Sequence, residues 1–554
     1  MASVHTRIRP RILMCTSLLA VAVAISGCGG TKEGSEDDNK GDKAGESTEP
    51  VYGGAAIYGI SAENADGWCL PSAQLAPPGI LEARAIYDTL TIPDENGRLV
   101  PFLAKSLTPN EDFTEWDIQL RDGVKFHDGT ALDSTVVKNN IDAYRGAYPA
   151  RESLLFRFVY DNIADVAVTG PLALKVTTKS PWSSLPQALW STGRVGIMAQ
   201  AQLDDPTSCA TKLIGTGPFS LVEWKQNEKL ELKKNPDYWM ADAKGNKLPY
   251  LDSIEFRPMT ESSARTNALL SGEVNMIGAG TPQMMEALKP AEDEGKVRNN
   301  PSDAFTTVSF LQFNNAAAPF DNKDARLAVI SAIDMETFNQ TVNLGMIKIA
   351  NGPFPPGSIG YLKDNGYPKF NLDKAKKYAA EYEASTGEKL KFSLMLPAEQ
   401  LTNSAMALIQ EMLKKAGIDM QLQSMEVAAM VSTAVSGKYQ AMAFANYPGG
   451  DPDDNRVWWY GGSPVNLSKF NDPEINRLLD EGRSTDDEKK RQQIYGDVNK
   501  RFASEGYSAW LNWTLANVAT SSDVHGLLGP ALPGGDKPSP SLVNGHSMAG
   551  IWID

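Results

Sequence analysis

Cysteine and histidine are scarce in this chain. Its 554 residues include 4 Cys and 4 His. That leaves few thiolates and imidazoles for a transition-metal centre, which draws its ligands mainly from those two side chains. Catalytic signatures are missing too. No G-x-S-x-G elbow, H-E-x-x-H pair or P-loop occurs, so the motif-bearing forms of hydrolase, zincin and nucleotide-triphosphatase chemistry are not expected. "GTGPF" (Gly215 to Phe219) is glycine-rich, but no Gly follows at dinucleotide-fingerprint spacing. Positive charge is also short. The formal net charge of -15 argues against a phosphate backbone as partner, so no nucleic acid is expected. There is no internal repeat, and after the first 25 or so residues no apolar run is long enough to span a bilayer.

What is present begins with the N-terminus. Arg7, Arg9 and Arg11 precede a mostly apolar run from Ile12 to Ile25. It is too short to cross a membrane but suits a secretory signal. It ends in "ISGC", which resembles a bacterial lipobox, with Cys28 as lipid acceptor and cleavage just before it. The alternative is an ordinary secretory signal with a chance Cys. Two acyl chains, at about 0.8 kcal/mol per buried CH₂, would anchor stably. Residues 1–27 are therefore expected to be signal peptide. Residues 28–50 would be the lipidated Cys and a spacer without large apolar side chains, which cannot form a core. Cys15 would leave with the signal. Cys69 and Cys209 remain, an even pair in an oxidising compartment, and a disulfide between them is expected. Two free buried thiols are the alternative.

The body, with 42% apolar and 22% charged residues in the whole chain, is ordinary for a globular protein and too long for one core. Strands and helices alternate. "LALKVTT" (from Leu172) and "SIEF" (from Ser253) alternate apolar and polar positions, as half-buried strands do. "KFSLML" (Lys391 to Leu396) reads as a strand. In the following helix Leu401, Ala405, Leu408, Met412 and Leu413 share a face, with Gly417 placed to end it. "IDMQLQSM" then gives a second strand, which implies a parallel pair with a right-handed crossover. "YQAMAFA" (Tyr439 to Ala445) is one more strand. The acidic loop "ANYPGGDPDDNRVWWY" (Ala445 to Tyr460) leaves its carboxyl end, where ligands bind in open α/β sheets.

Three uses of that loop can be compared. Asp451, Asp453 and Asn455 match the first ligands of a calcium loop, but Arg456 stands where Gly is needed and Gly462 where Glu is needed. No metal site is expected. Asp451, Asp453 and Asp454 could serve as acid and base, yet no catalytic partner is nearby in sequence; His127, His525 and His546 read as ordinary surface or packing residues. The third use is a pocket wall. Trp458, Trp459 and Tyr460, with Trp510, Asn512 and Trp513 in "SAWLNWTL", offer rigid contact area with polar handles. About half of these aromatics are expected to be core only.

Several stretches in order resemble the extracellular solute-binding proteins of peptide/nickel-type ABC importers, family 5. They are "FTEWDIQLRDGVKFHDGTALDSTVV" (from Phe113), "GTGPFSLVEW", "NPDYW" (from Asn235), "DNKDARLAVISAID" (from Asp321), "NLDKAKKYAAEY" and "FNDPEINRLLDEGRSTDDEKKRQQIYGDVNKRF". The resemblance implies an α/β, two-lobed periplasmic-binding-protein-like fold (type II, cluster C) with an extra α/β domain inserted in the first lobe. It divides the body into lobe 1 (51–93, 208–304 and 509–554), the inserted domain (94–207) and lobe 2 (305–508). It implies a non-enzymatic, monomeric binder without cofactor, held outside the cytoplasm by its lipid. A peptide or other small polar solute would be delivered to a permease with cytoplasmic ATPase subunits. Trp68, Asn446, Tyr447, Asp451, Trp458, Trp510 and Asn512 are the expected ligand contacts. One departure stands out. Peptide binders of the family commonly carry an Asp where this chain has Asn446, and an amide lacks the charge that pairs with an ammonium. The rival expectations are a secreted lipoprotein hydrolase acting on peptides or glycans, and a binding lipoprotein serving a sensor.

Overall fold

AAIYGI (Ala55–Ile60) is buried on both faces towards its carboxyl end, as a central parallel strand should be. In the computed structural model, which describes residues 49–554 apart from 65–66, 74, 447–449 and 544, it is the middle of a seven-stranded sheet. The order is Val297–Ser302, Ala516–Ser521, Met276–Gly278, Ala55–Ile60, Ser253–Pro258, Lys229–Lys234, Phe219–Lys225. Ala55–Ile60 runs parallel to both neighbours. The other pairings are antiparallel. The expected signal peptide, Cys28 and Tyr447 lie outside the described residues.

A second sheet of six strands runs Lys348–Ile349, Ser508–Trp513, Val308–Phe313, Ala441–Asn446, Lys391–Pro397, Asp419–Met425. Lys391–Pro397 and Asp419–Met425 are parallel, joined through the helix Gln400–Lys415. Its Ala405, Met412 and Leu413 are buried as the periodicity predicts, and Gly417 follows with φ +79°. Leu401, in its first turn, is instead exposed. Between Pro93 and Phe219 a third, antiparallel sheet (Ala104–Pro109, Glu115–Leu120, Ala173–Thr178, Ile163–Gly170) packs with the helix Ser134–Tyr144. Its Trp116, Val176 and Tyr144 share one core with Ile254, Phe256 and Met276 of the first sheet. The insertion is thus fused to lobe 1. The second sheet has its own core around Leu311, Phe392 and Leu413, and this makes it lobe 2.

The chain passes between the sheets twice, after Ser302 and after Trp513. The second crossing lies beyond Ser508–Trp513, because that whole strand pairs with Val308–Phe313 in lobe 2; residues 509–513 therefore belong there and not to lobe 1. The two crossings touch. Thr514 N donates to Thr307 O at 2.8 Å, and the Thr306 and Thr514 hydroxyls lie 3.1 Å apart. Cys69 and Cys209 are disulfide-bonded within lobe 1, their Cα atoms 4.9 Å apart.

Candidate ligand-binding site

The helix Pro77–Ile86 follows the central strand of lobe 1 and carries Glu82 and Arg84 in an otherwise apolar run, PPGILEARAI. Its end is fixed by the GTGPF segment. Gly217 N donates to Ile86 O at 2.9 Å. A Cβ on Gly215 would sit 2.1 Å from Ile86 O, so only glycine lets the two backbones approach. Thr216 Oγ1 and Trp239 Nε1 each donate to Asp88 Oδ2 at 2.9 Å. Burial raises the Asp88 pKa to about 6, against the pull of these donors and of the Arg84 charge.

Arg84 opens onto a cleft between lobe 1 and the acidic loop. Lobe 1 and the insertion supply most of its wall, including Phe102, Gln187, Trp190 and His546; Phe305 comes from the first crossing and Gly450 from the acidic loop of lobe 2. Arg84 Nη1 donates to Gly545 O at 2.8 Å, and its guanidinium lies 4.9 Å from the Trp190 ring centre. Burial lowers its pKa to about 10. His546 is buried with Nε2 3.5 Å from the Tyr58 hydroxyl, and burial, helped by the Arg84 charge, lowers its pKa to about 3. At neutral pH it is an uncharged imidazole. Phe305 has φ +47°, a left-handed conformation uncommon for a bulky side chain. Its ring would lie 2.7 Å from a Cβ on Gly97, which has φ +77°. Among the described residues, no group of three His, Cys, Asp or Glu could hold a metal ion.

The acids of the loop are engaged within the protein. Asp451 accepts from both Nη atoms of Arg491, at 2.5 and 2.6 Å, and its Oδ1 also caps the turn at Asp453 N, 2.9 Å away. Arg491 is thereby held as a cation: burial opposes its charge, and Asp451 outweighs it. Asp453 accepts from Arg483 Nε at 2.9 Å, and from Trp182 Nε1 and Ser184 Oγ of the insertion at 2.9 and 2.6 Å. Burial would raise its pKa, but the Arg483 charge, with the hydrogen bonds from Arg483 and Ser184, holds it below the usual range. Asp454 accepts from Gln187 Nε2 at 2.6 Å; burial, with repulsion from Asp451, pushes its pKa well up. The Ser183 amide also donates to Arg483 O at 2.8 Å. Lobe 2 is thus joined to the insertion beside the cleft.

The structure brings some expected contacts together and separates others. Asn446, Trp458 and Trp510 line a small cavity within lobe 2, with Phe310 and Phe444. Asn446 Nδ2 donates to Asn455 Oδ1 at 2.9 Å. Asn512 lies half-buried on the strand of Trp510. Trp68 is fully buried in the lobe 1 core, its ring centre 6.0 Å from that of Trp224. Asp451 lies at the Arg491 pair and not on the cleft wall. Arg84, Gln187 and His546 were not among the expected contacts. For Arg84 the available signal was a charged residue in an apolar helix, where charges are rarely buried unless paired.

Residues 98–467 match the family model of bacterial extracellular solute-binding proteins, family 5. The oligopeptide-binding protein AppA of Bacillus subtilis is 25% identical over 94% of this chain and 96% of its own length. The glutathione-binding protein GsiB of Salmonella paratyphi A is 27% identical over 79% of this chain and 85% of its own. Among solved structures, the binding protein AgaA from A. tumefaciens R10 in complex with agropinic acid superposes with TM-score 0.77 at 25% identity, covering 90% and 99% of the two chains. DppA from Helicobacter pylori with the peptide STSA gives 0.78 at 21% identity over 91% and 98%, a likeness of fold. With its two lobes, paired crossings and inter-lobe cleft, this chain belongs to the bacterial extracellular solute-binding proteins of family 5.

Proposed function

We propose that this chain is the membrane-tethered, extracytoplasmic binding component of an ABC importer. It captures a peptide or another small polar organic solute in the cleft and presents it to the permease without changing it. The observation that carries this reading is the pair of crossings in contact at Thr306, Thr307 and Thr514, directly beside a cleft walled by both lobes. Two short adjacent strands can act as a hinge, and a ligand that touches both lobes only when they are together stabilises that arrangement. Lobe 1 is proposed to supply the main wall, and Asn446, Trp458 and Trp510 polar and aromatic groups from lobe 2. Cys28 is proposed as the lipid attachment. The names of the relatives favour a peptide; the amide at Asn446 is the feature that leaves other solutes open.

Native mass spectrometry of the purified protein, before and after incubation with mixed peptides and oligosaccharides, tests the reading. A retained, chemically unchanged ligand at one per chain is expected. Turnover of the added compounds would overturn it in favour of a hydrolase.

A further inference from the structure

We infer that the cleft selects a small organic anion, a carboxylate foremost, that also carries an N–H or O–H donor and an apolar body, and that a free ammonium is not what it reads. This rests on the solute-binding reading above and specifies its ligand class.

Among the described residues, the ionisable side chains lining the cleft are Arg84 and His546, and no Asp or Glu lines it. The acids of the loop are held by other partners: Asp451 by Arg491, Asp453 by Arg483, Trp182 and Ser184, and Asp454 by Gln187. Asn446 turns its amide to Asn455. Asp88 acts on Arg84 electrostatically, but it engages Thr216, Trp239 and Tyr238 on its own side. A ligand ammonium would therefore enter a desolvated cleft beside a guanidinium, with no carboxylate on the wall among the described residues, an unfavourable placement for a cation.

An anion meets the opposite situation. The Arg84 guanidinium is fixed by Gly545 O and the Trp190 face. A preorganised, planar fork of this kind suits a carboxylate. Gln187 adds a second feature. Its Oε1 is buried without a hydrogen-bond partner among the described residues, and it lies 3.7 Å from where a Cβ on Gly450 would be, at the cleft wall. A buried acceptor of this kind favours a ligand that brings a donor. Phe102, Trp190, Met240 and Phe305 supply the apolar surface.

The test uses the mature full-length protein and matched probes in titration calorimetry. N-acetyl-alanyl-leucine has a carboxylate and no ammonium; alanyl-leucine amide has the reverse; a wider panel holds organic acids, their amides, amines and neutral sugars. The acids are expected to bind at least tenfold tighter than their amides. Arg84→Gln should remove that preference, and Arg84→Lys should restore part of it. Amides or amines that bind as tightly as the acids would overturn the inference while leaving a binding protein. So would an Arg84→Gln variant that keeps the preference. If Arg84→Gln does not fold, the acid-to-amide ratio on the unaltered protein decides. If no panel compound binds and none is retained on purification, the solute-binding reading itself fails.

Discussion

Asp453 of lobe 2 accepts a hydrogen bond from the indole Nε1 of Trp182, 271 residues earlier in the inserted domain, at 2.9 Å. The same carboxylate oxygen takes the Ser184 hydroxyl, and Arg483 supplies the counter-charge. These groups hold the two halves of the molecule together beside the cleft. Trp182→Phe should remove one donor and keep the packing against Arg483, whose guanidinium carbon lies 4.7 Å from the ring centre. A hydrogen bond to a charged group contributes about 1.5–3 kcal/mol. The ligand-free protein should shift towards separated lobes, seen as a larger radius of gyration in small-angle scattering. An unchanged radius would mean that the contact does not set the lobe equilibrium.

Asp451 and Arg491 form a bidentate pair with both side chains largely buried. Removing one partner of such a pair strands the other charge, at a cost of about 3–5 kcal/mol. Asp451→Ala should therefore lower the melting temperature of the ligand-free protein. Asp451→Ala combined with Arg491→Met should recover much of the loss, because no buried charge is left alone. Urea unfolding of the single and double variants measures both; equal losses would argue against the pair as the cause.

The Cys69–Cys209 bond closes a loop of 140 residues in sequence. In the chain-entropy view, a closure of that length stabilises by about 4–5 kcal/mol, through the unfolded state. Reduction, or Cys69→Ser with Cys209→Ser, should lower the unfolding midpoint of lobe 1. A midpoint that does not move on reduction would contradict this.

Asp88 gives a pH dependence with a definite sign. Its folded pKa, raised to about 6 by burial, lies above the ordinary value of 3.8. Between those values the folded state binds more protons than the unfolded state, so this group's contribution falls as pH rises through about 4 to 6. Asp88→Asn cannot ionise and should lack that slope. Relative to the parent, the variant should therefore gain stability as pH rises from about 4 to 7. Chemical denaturation at several pH values reads the difference; parallel curves would exclude Asp88 as the source.

Local pattern made much of this protein legible before folding. The strand, helix and strand from Lys391 to Met425 announce themselves by periods of two and 3.6, because one face of each must be buried. The ordered motifs carried the family and its two-lobed α/β fold. The reach of the second crossing was not legible: that Ser508–Trp513 stays with lobe 2 depends on its pairing with Val308–Phe313, about 200 residues away. The acidic loop shows the same limit. Asp451, Asp453 and Asp454 are adjacent in sequence, but their partners Arg491, Arg483, Trp182, Ser184 and Gln187 lie 30 to 271 residues distant. Whether an acid faces a ligand or an arginine depends on which side chains the fold brings within about 3 Å, and spacing along the chain carries no record of that. Sequence alone thus determined what kind of protein this is; only the tertiary structure decided which charges remain at the cleft.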